Sequence, residues 1–92
     1  MDYELNWEQA QALAALERAP REALEKQVAS GGADAELVMR LARACVRDNR
    51  LAEALSHYDH AELLGHDDAL GERRLVARHV GDFPPIDNRL QA

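Results

Sequence analysis

Apolar residues recur at helical spacing along most of the chain. Val38, Leu41, Ala42 and Cys45 stand at i, i+3, i+4 and i+7, the stripe of an amphipathic helix. Leu51, Ala54, Leu55, Tyr58, Ala61 and Leu64 resume the pattern after the Asp48-Asn49 turn. Trp7, Ala10, Leu13, Ala14 and Glu17, only the last of them polar, form an earlier stripe, Ala23, Leu24 and Val28 a second, and Leu75, Val76 and Val80 the last. The breaks between them carry stop and start signals. Asn6, with Gln9 three residues on, resembles a capping box. Pro20 suits a first helical turn, Gly31-Gly32 and Gly65 suit helix ends, and Asp34 and Asp67 or Asp68 suit N-caps. The pattern predicts helices near residues 7–18, 20–30, 34–47, 51–64 and 68–80. Pro84-Pro85 cannot continue a helix, so residues 81–92 read as an extended tail whose Phe83 and Ile86 fold back onto the last helix.

Composition supports an all-α protein. Ala, Leu, Glu and Arg dominate, all good helix formers, while Ile86 is the only isoleucine and threonine is absent. The 92 residues suit one small domain. A formal charge of −6 argues against nucleic acid or an anionic membrane as partner. That charge is unevenly spread. Arg40, Arg43, Arg47 and Arg50 face only Asp48 in residues 39–50, whereas residues 51–68 hold Glu53, Asp59, Glu62, Asp67 and Asp68 without Lys or Arg. With Cys45 as the sole cysteine, an internal disulfide is impossible. The acidic start Met1-Asp2-Tyr3-Glu4-Leu5 does not read as a secretory leader, and no apolar run is long enough to span a membrane, so the cytoplasm is the expected compartment.

Internal similarity sharpens the fold class. At a lag of roughly 34 residues, Asp34 falls on Asp68, Ala35 on Ala69, Arg40 on Arg74, Leu41 on Leu75, Val46 on Val80 and Asp48 on Asp82. In a slightly shorter register Glu22-Ala23-Leu24 falls on Glu53-Ala54-Leu55 and Trp7 on Val38. The stretch from Ala35 to Asp68 resembles the tetratricopeptide repeat family. Leu41-Ala42 sits at that family's Leu-small pair, Ala54, Tyr58 and Ala61 at its small-aromatic-small series, and Val80-Gly81-Asp82-Phe83 resembles its Gly-Asp-Tyr turn. Cys45 takes the place of a tyrosine, and His66 stands where the family usually has proline. The resemblance covers residues 6–83, about two and a half repeats. It implies antiparallel helix pairs over 6–30 and 34–64 and a terminal helix over 67–80, stacked as a right-handed superhelix. A plain helical bundle is the rival architecture.

The resemblance further implies that the first helix of each pair lines a concave groove. Arg40, Arg43, Arg47, Arg73 and Arg74 then stand on the non-core side of those helices, and forked guanidinium donors suit a carboxylate. The leading expectation is a protein-interaction module or scaffold that uses these five arginines to bind an acidic or C-terminal peptide. The same arginines can instead pair with Glu36, Glu72 or the acidic neighbouring helix, or simply be solvated. One alternative function is self-association as a weak homodimer, which would cover the apolar face of an incomplete last repeat. Another is metal binding by Glu53, His57 and His60, which share one helical stripe, with His66, Asp67 and Asp68 nearby. No metal site is expected, because no second cluster completes a ligand set. Cys45, Tyr58 and Trp7 occupy apolar or repeat positions and are read as core. No phosphate loop, nucleophile elbow or paired-carboxylate motif occurs, so neither an enzyme nor a cofactor is expected.

Overall fold

The computed structural model describes the backbone of residues 2–81 and the side chains of residues 7–80. Five helices follow one another in this span: α1 (Asp2–Leu16), α2 (Arg21–Ala29), α3 (Ala35–Arg47), α4 (Leu51–Leu63) and α5 (Ala69–Gly81). Among the described residues there is no strand. None of these helices is long and apolar enough to cross a membrane. Gly81, expected in the tail, closes α5 instead, and the remainder of the tail lies outside the described residues.

Local chemistry sets the helix limits. α1 starts at Asp2, so Asn6 lies inside the helix and is not its cap. Residues 2–5 contain neither Pro nor Gly, and the helix extends back through them. Pro20 is extended (φ −62°, ψ 140°) and stands one residue before α2, not inside its first turn. Its carbonyl accepts the Ala23 and Leu24 N–H groups at 3.1 and 3.3 Å. α2 ends where Gly31 takes φ +97°, a conformation that costs glycine little. At the start of α3 the Asp34 Oδ1 accepts the Leu37 N–H at 2.8 Å, as the sequence predicts. Asn49 turns the chain between α3 and α4 at φ 63°, a region that Asn tolerates. His66 stands in the turn before α5. Its Nδ1 accepts the Asp68 N–H at 3.1 Å, and its Nε2 lies 3.1 Å from Glu36 on α3.

Burial is concentrated on α3. Leu37, Val38, Met39, Leu41, Ala42, Ala44, Cys45 and Val46 are all buried, so α3 is surrounded on most of its circumference. α4 adds Ala54, Tyr58 and Ala61, and α5 adds Ala69 and Val76. By contrast, α2 buries only Leu24, and α1 contributes the small Ala10 and Ala14. Burial of a Leu, Met or Val side chain of this kind stabilises by about 1.5–3 kcal/mol. Leu41, Ala54, Cys45 and Tyr58 therefore hold the core positions their spacing predicts. Trp7 is only half-buried; its ring stacks on His79 of α5 with centroids 3.7 Å apart.

The packing order departs from expectation at one place. Among the described residues α3 packs on α4, α4 on α5, α1 on both α3 and α5, and α2 on α3. α1 and α2, expected as a pair over 6–30, are not among the main packings of the described residues, where each lies against α3. The reason lies in the connector at residues 17–20. It is held down on α3 by Arg40 and Arg47, so α1 and α2 both lie against α3, and α1 alone also reaches α5. α1 lies across α3 and α5 with Ala10 and Ala14, one turn apart, buried in its contact face and Trp7 stacked on His79 of α5.

Candidate functional site

The arginines of α3 were the expected ligand-binding groups, and the structure gives each of them an internal partner. Arg40, Arg43 and Arg47 recur at i, i+3 and i+7, which sets them on one side of the helix. Arg40 forms a two-pronged pair with Glu17, Nε to Oε1 at 2.9 Å and Nη2 to Oε2 at 3.2 Å. Arg47 donates from Nη1 to the Glu17 and Ala19 carbonyls at 2.5 and 2.9 Å. Glu17 also accepts the Ala19 N–H at 3.0 Å. Together these bonds fasten the α1–α2 connector to α3.

The network continues beyond the connector. Arg47 Nε lies 3.1 Å from Asp48 Oδ1, Arg21 Nε lies 3.2 Å from Asp48 Oδ2, and Arg21 Nη1 lies 2.7 Å from Glu25. The end of α3, the start of α2 and the connector thus share one chain of alternating charge. Its electrostatics are consistent. The hydrogen bonds from Arg40 hold the Glu17 carboxyl below its ordinary range of about 4.5 against the opposing effect of burial, with the Ala19 N–H adding to the shift. Asp48 is lowered in the same sense, chiefly by its bond to Arg47.

Arg43 is committed in the opposite direction, across to α5. Its Nε and Nη2 reach the two carboxylate oxygens of Glu72 at 3.0 and 2.5 Å. Tyr58 of α4 donates to the same carboxylate at 3.2 Å. Glu72 is buried with its side chain 9% exposed, while the Arg43 side chain keeps 22%. Burial, reinforced by the Glu72 charge, keeps the Tyr58 hydroxyl protonated far above its ordinary range. This triad ties α3, α4 and α5 together.

The arginines of α5 differ from one another. Arg73 is held at α4, its Nε 2.6 Å from Asp59 Oδ1, although that buried N–H is off hydrogen-bond geometry. Arg74 is exposed, and with Ala77 and the exposed Arg78 it lines an open groove of about 440 Å3 on α5. Leu70, one turn before Arg74, is 40% exposed. The structure therefore does not bring the five expected arginines together on one open surface. Arg40 and Arg47 face the connector, Arg43 spans to α5, Arg73 joins α5 to α4, and Arg74 stands outside.

The remaining candidates are simpler. Glu53, His57 and His60 do not converge; among the described residues no group of three or more His, Cys, Asp or Glu side chains is placed to hold a metal ion. Glu53 pairs with Arg50 at 3.2 Å. His57 is half-buried, and burial holds its proton affinity below the ordinary histidine value. Cys45 is fully buried and its thiol is pushed up to about 11, first by burial and then by the Glu53 charge, so it is protonated at neutral pH and inert as a nucleophile.

Sequence reasoning passed over Glu17, the connector's anchor, and offered Glu72 only as one of several possible arginine partners. For Glu72 a signal exists. It shares a helical stripe with Ala69, Leu75, Val76 and Val80, and a carboxylate on an apolar stripe asks for a buried cation. Glu17 carries a similar mark as the one polar position of the Trp7, Ala10, Leu13 and Ala14 stripe, but its partner depends on how the connector folds. Compared with protein-family models, with curated proteins and with solved structures, the chain matches none.

Proposed function

We propose that this protein is a protein-interaction module of stacked, tetratricopeptide-like helix pairs that captures an acidic segment of a partner on the outer side of α5. The observation that carries this reading is the division of the arginines. Arg40, Arg43 and Arg47 are occupied inside the molecule, whereas Arg74 and Arg78 are exposed on either side of Ala77. Leu70, Arg74, Ala77 and Arg78 follow at i, i+4, i+7 and i+8 and form one stripe of apolar contact flanked by cations. A partner helix or strand with acidic and apolar residues fits that stripe. The helix–turn–helix lengths and the repeat identities between Asp34 and Asp68 onward support the family reading.

Affinity capture from an extract of the native host tests this. Arg74→Glu with Arg78→Glu should abolish capture of the partner and leave the melting temperature within a degree or two, since exposed substitutions change stability little. Lys26→Glu on α2 should capture as the parent does. Capture should weaken with salt, because exposed charges are screened over about 8 Å at physiological ionic strength. Undiminished capture by the Arg74 and Arg78 variant would remove α5 as the binding surface.

A second reading is self-association, favoured by Leu63, which is 85% exposed at the end of α4, with Leu64 and Leu70 exposed as well. In that reading a second copy covers the α4–α5 corner. Light scattering across a concentration series decides it: a mass that rises toward the dimer and falls back in Leu63→Lys supports it, and a constant monomer mass removes it.

A further inference from the structure

A second surface, separate from α5, carries a different chemistry. α2 and α4 both flank α3, but they are not among the helix pairs that pack on each other. The gap between them is a groove of about 410 Å3. Leu41 of α3 forms its floor, Val28 of α2 and His57 of α4 its walls, and Glu25 and Glu53 stand at its opposite rims. Two carboxylates and no Lys or Arg appear among the described residues that line it.

We propose that this groove is a docking slot for one lysine or arginine side chain presented by a basic segment of a partner protein. The methylene stem would lie on Leu41 and Val28, and the cationic head between Glu25 and Glu53. Long cationic side chains bury their stems on apolar surface while the head stays hydrated, which matches an apolar floor beneath two half-exposed to exposed carboxylates. The charge complementarity is specific to the slot. His57 is kept neutral by burial, so it adds no opposing charge at neutral pH. The two carboxylates have local partners, Arg21 for Glu25 at 2.7 Å and Arg50 for Glu53 at 3.2 Å. Neither cation lines the groove. Arg21 is shared with Asp48, and the Arg50–Glu53 pair is about half exposed on both sides. The exposed Arg50–Glu53 pair is weak, so a guest cation with an apolar stem displaces Arg50 from Glu53, while the part-buried Arg21 keeps its bond and the Glu25 carboxylate serves as a second acceptor. A net charge of −6 on the chain favours approach of a basic segment.

The probe is hexylammonium, with hexanol as its neutral match, titrated at low salt into the isotope-labelled full chain and followed by amide chemical shifts. Hexylammonium should give saturating shifts confined to Val28, Leu41, Ser56 and His57, with hexanol markedly weaker. Glu25→Gln with Glu53→Gln should weaken hexylammonium by at least about threefold, the scale of half-exposed charge contacts, while the amide spectrum keeps the dispersion of the folded chain. If the double variant loses fold, Glu53→Gln alone carries the test with half the effect on a logarithmic scale. Arg74→Glu should leave hexylammonium binding unchanged, which separates this slot from the α5 surface. Equal binding of hexanol and hexylammonium, shifts that never saturate, or a glutamine variant that binds like the parent would each overturn the proposal.

Discussion

The body formed by α3, α4 and α5 and the arm formed by α1 and α2 are held by different forces. In the body most contacts are apolar and large, with the Arg43–Glu72–Tyr58 triad set among them: Val38, Met39, Leu41, Tyr58 and Val76 are all at most 1% exposed. In the arm the fully buried apolar groups are Leu24 and two alanines, and the connector is fixed by arginines reaching out of α3. Apolar burial is undirected and tolerates small shifts. A guanidinium gripping one carboxylate and two carbonyls is directional, and it is lost as a unit when one member goes. The body should therefore resist local opening, and the arm should open as a piece when its polar fastening fails.

The largest expected effect is in the body. Leu41→Ala removes a residue at the centre of α3, and a cost of about 2–5 kcal/mol is expected, a large share of a small domain's stability. Ala54→Leu at the same crossing should cost about 1–3 kcal/mol through overpacking. Both are read from thermal or denaturant melts, and parent-like melts would disprove the tight crossing.

Next in size is the triad. Arg43→Gln leaves the Glu72 carboxylate buried with only Tyr58 as donor, and a loss of roughly 3 kcal/mol is expected. Arg43→Gln with Glu72→Gln should recover much of that loss. If the double variant is no better than the single, the pair is not coupled. Arg43 is consequently a poor site for testing partner binding, since its loss would act through folding.

A smaller effect is expected at the connector. Glu17→Gln should cost about 1–2 kcal/mol, the value of a charge-assisted hydrogen bond set that is only partly buried. Its pH dependence has a definite sign. Glu17 and Asp48 are lowered in the folded state, so their contribution is full above the ordinary carboxylate range and is lost as pH falls through their lower folded values. His57 is lowered as well, so the folded state resists a proton that the unfolded chain accepts, and acid begins to cost stability below about 6.5. Melts between pH 7 and 3 should fall in these two stages. In Glu17→Gln the lower stage should shrink, and an unchanged lower stage would detach it from the connector.

How much of this was legible in the sequence divides along the same line. The helices of the body were readable because Val38, Leu41, Ala42 and Cys45, then Ala54, Tyr58 and Ala61, repeat at helical spacing and meet clear caps at Asp34, Asn49 and Gly65. The start of α1 was misplaced because Asn6 mimics a cap in a stretch with no helix breaker before it. The path of the arm was hidden for a physical reason. It depends on side chains that pair across more than twenty residues, Arg40 with Glu17 and Arg47 with the Glu17 and Ala19 carbonyls, and periodicity records only local neighbours. The arginine stripe was visible, but a helical wheel cannot tell a guanidinium that waits for a ligand from one that already holds the chain.

Site-resolved hydrogen exchange on the full chain, comparing the parent with Arg40→Ala and Arg47→Ala together, tests this account most directly. The amides of α1 and α2 should exchange faster by about tenfold or more, the equivalent of one to two kcal/mol of lost fastening, while those of the central turns of α3 and α4 stay near their parent rates. A uniform change across all helices, or no change in α1 and α2, would contradict the account and return these arginines to the surface as free binding groups.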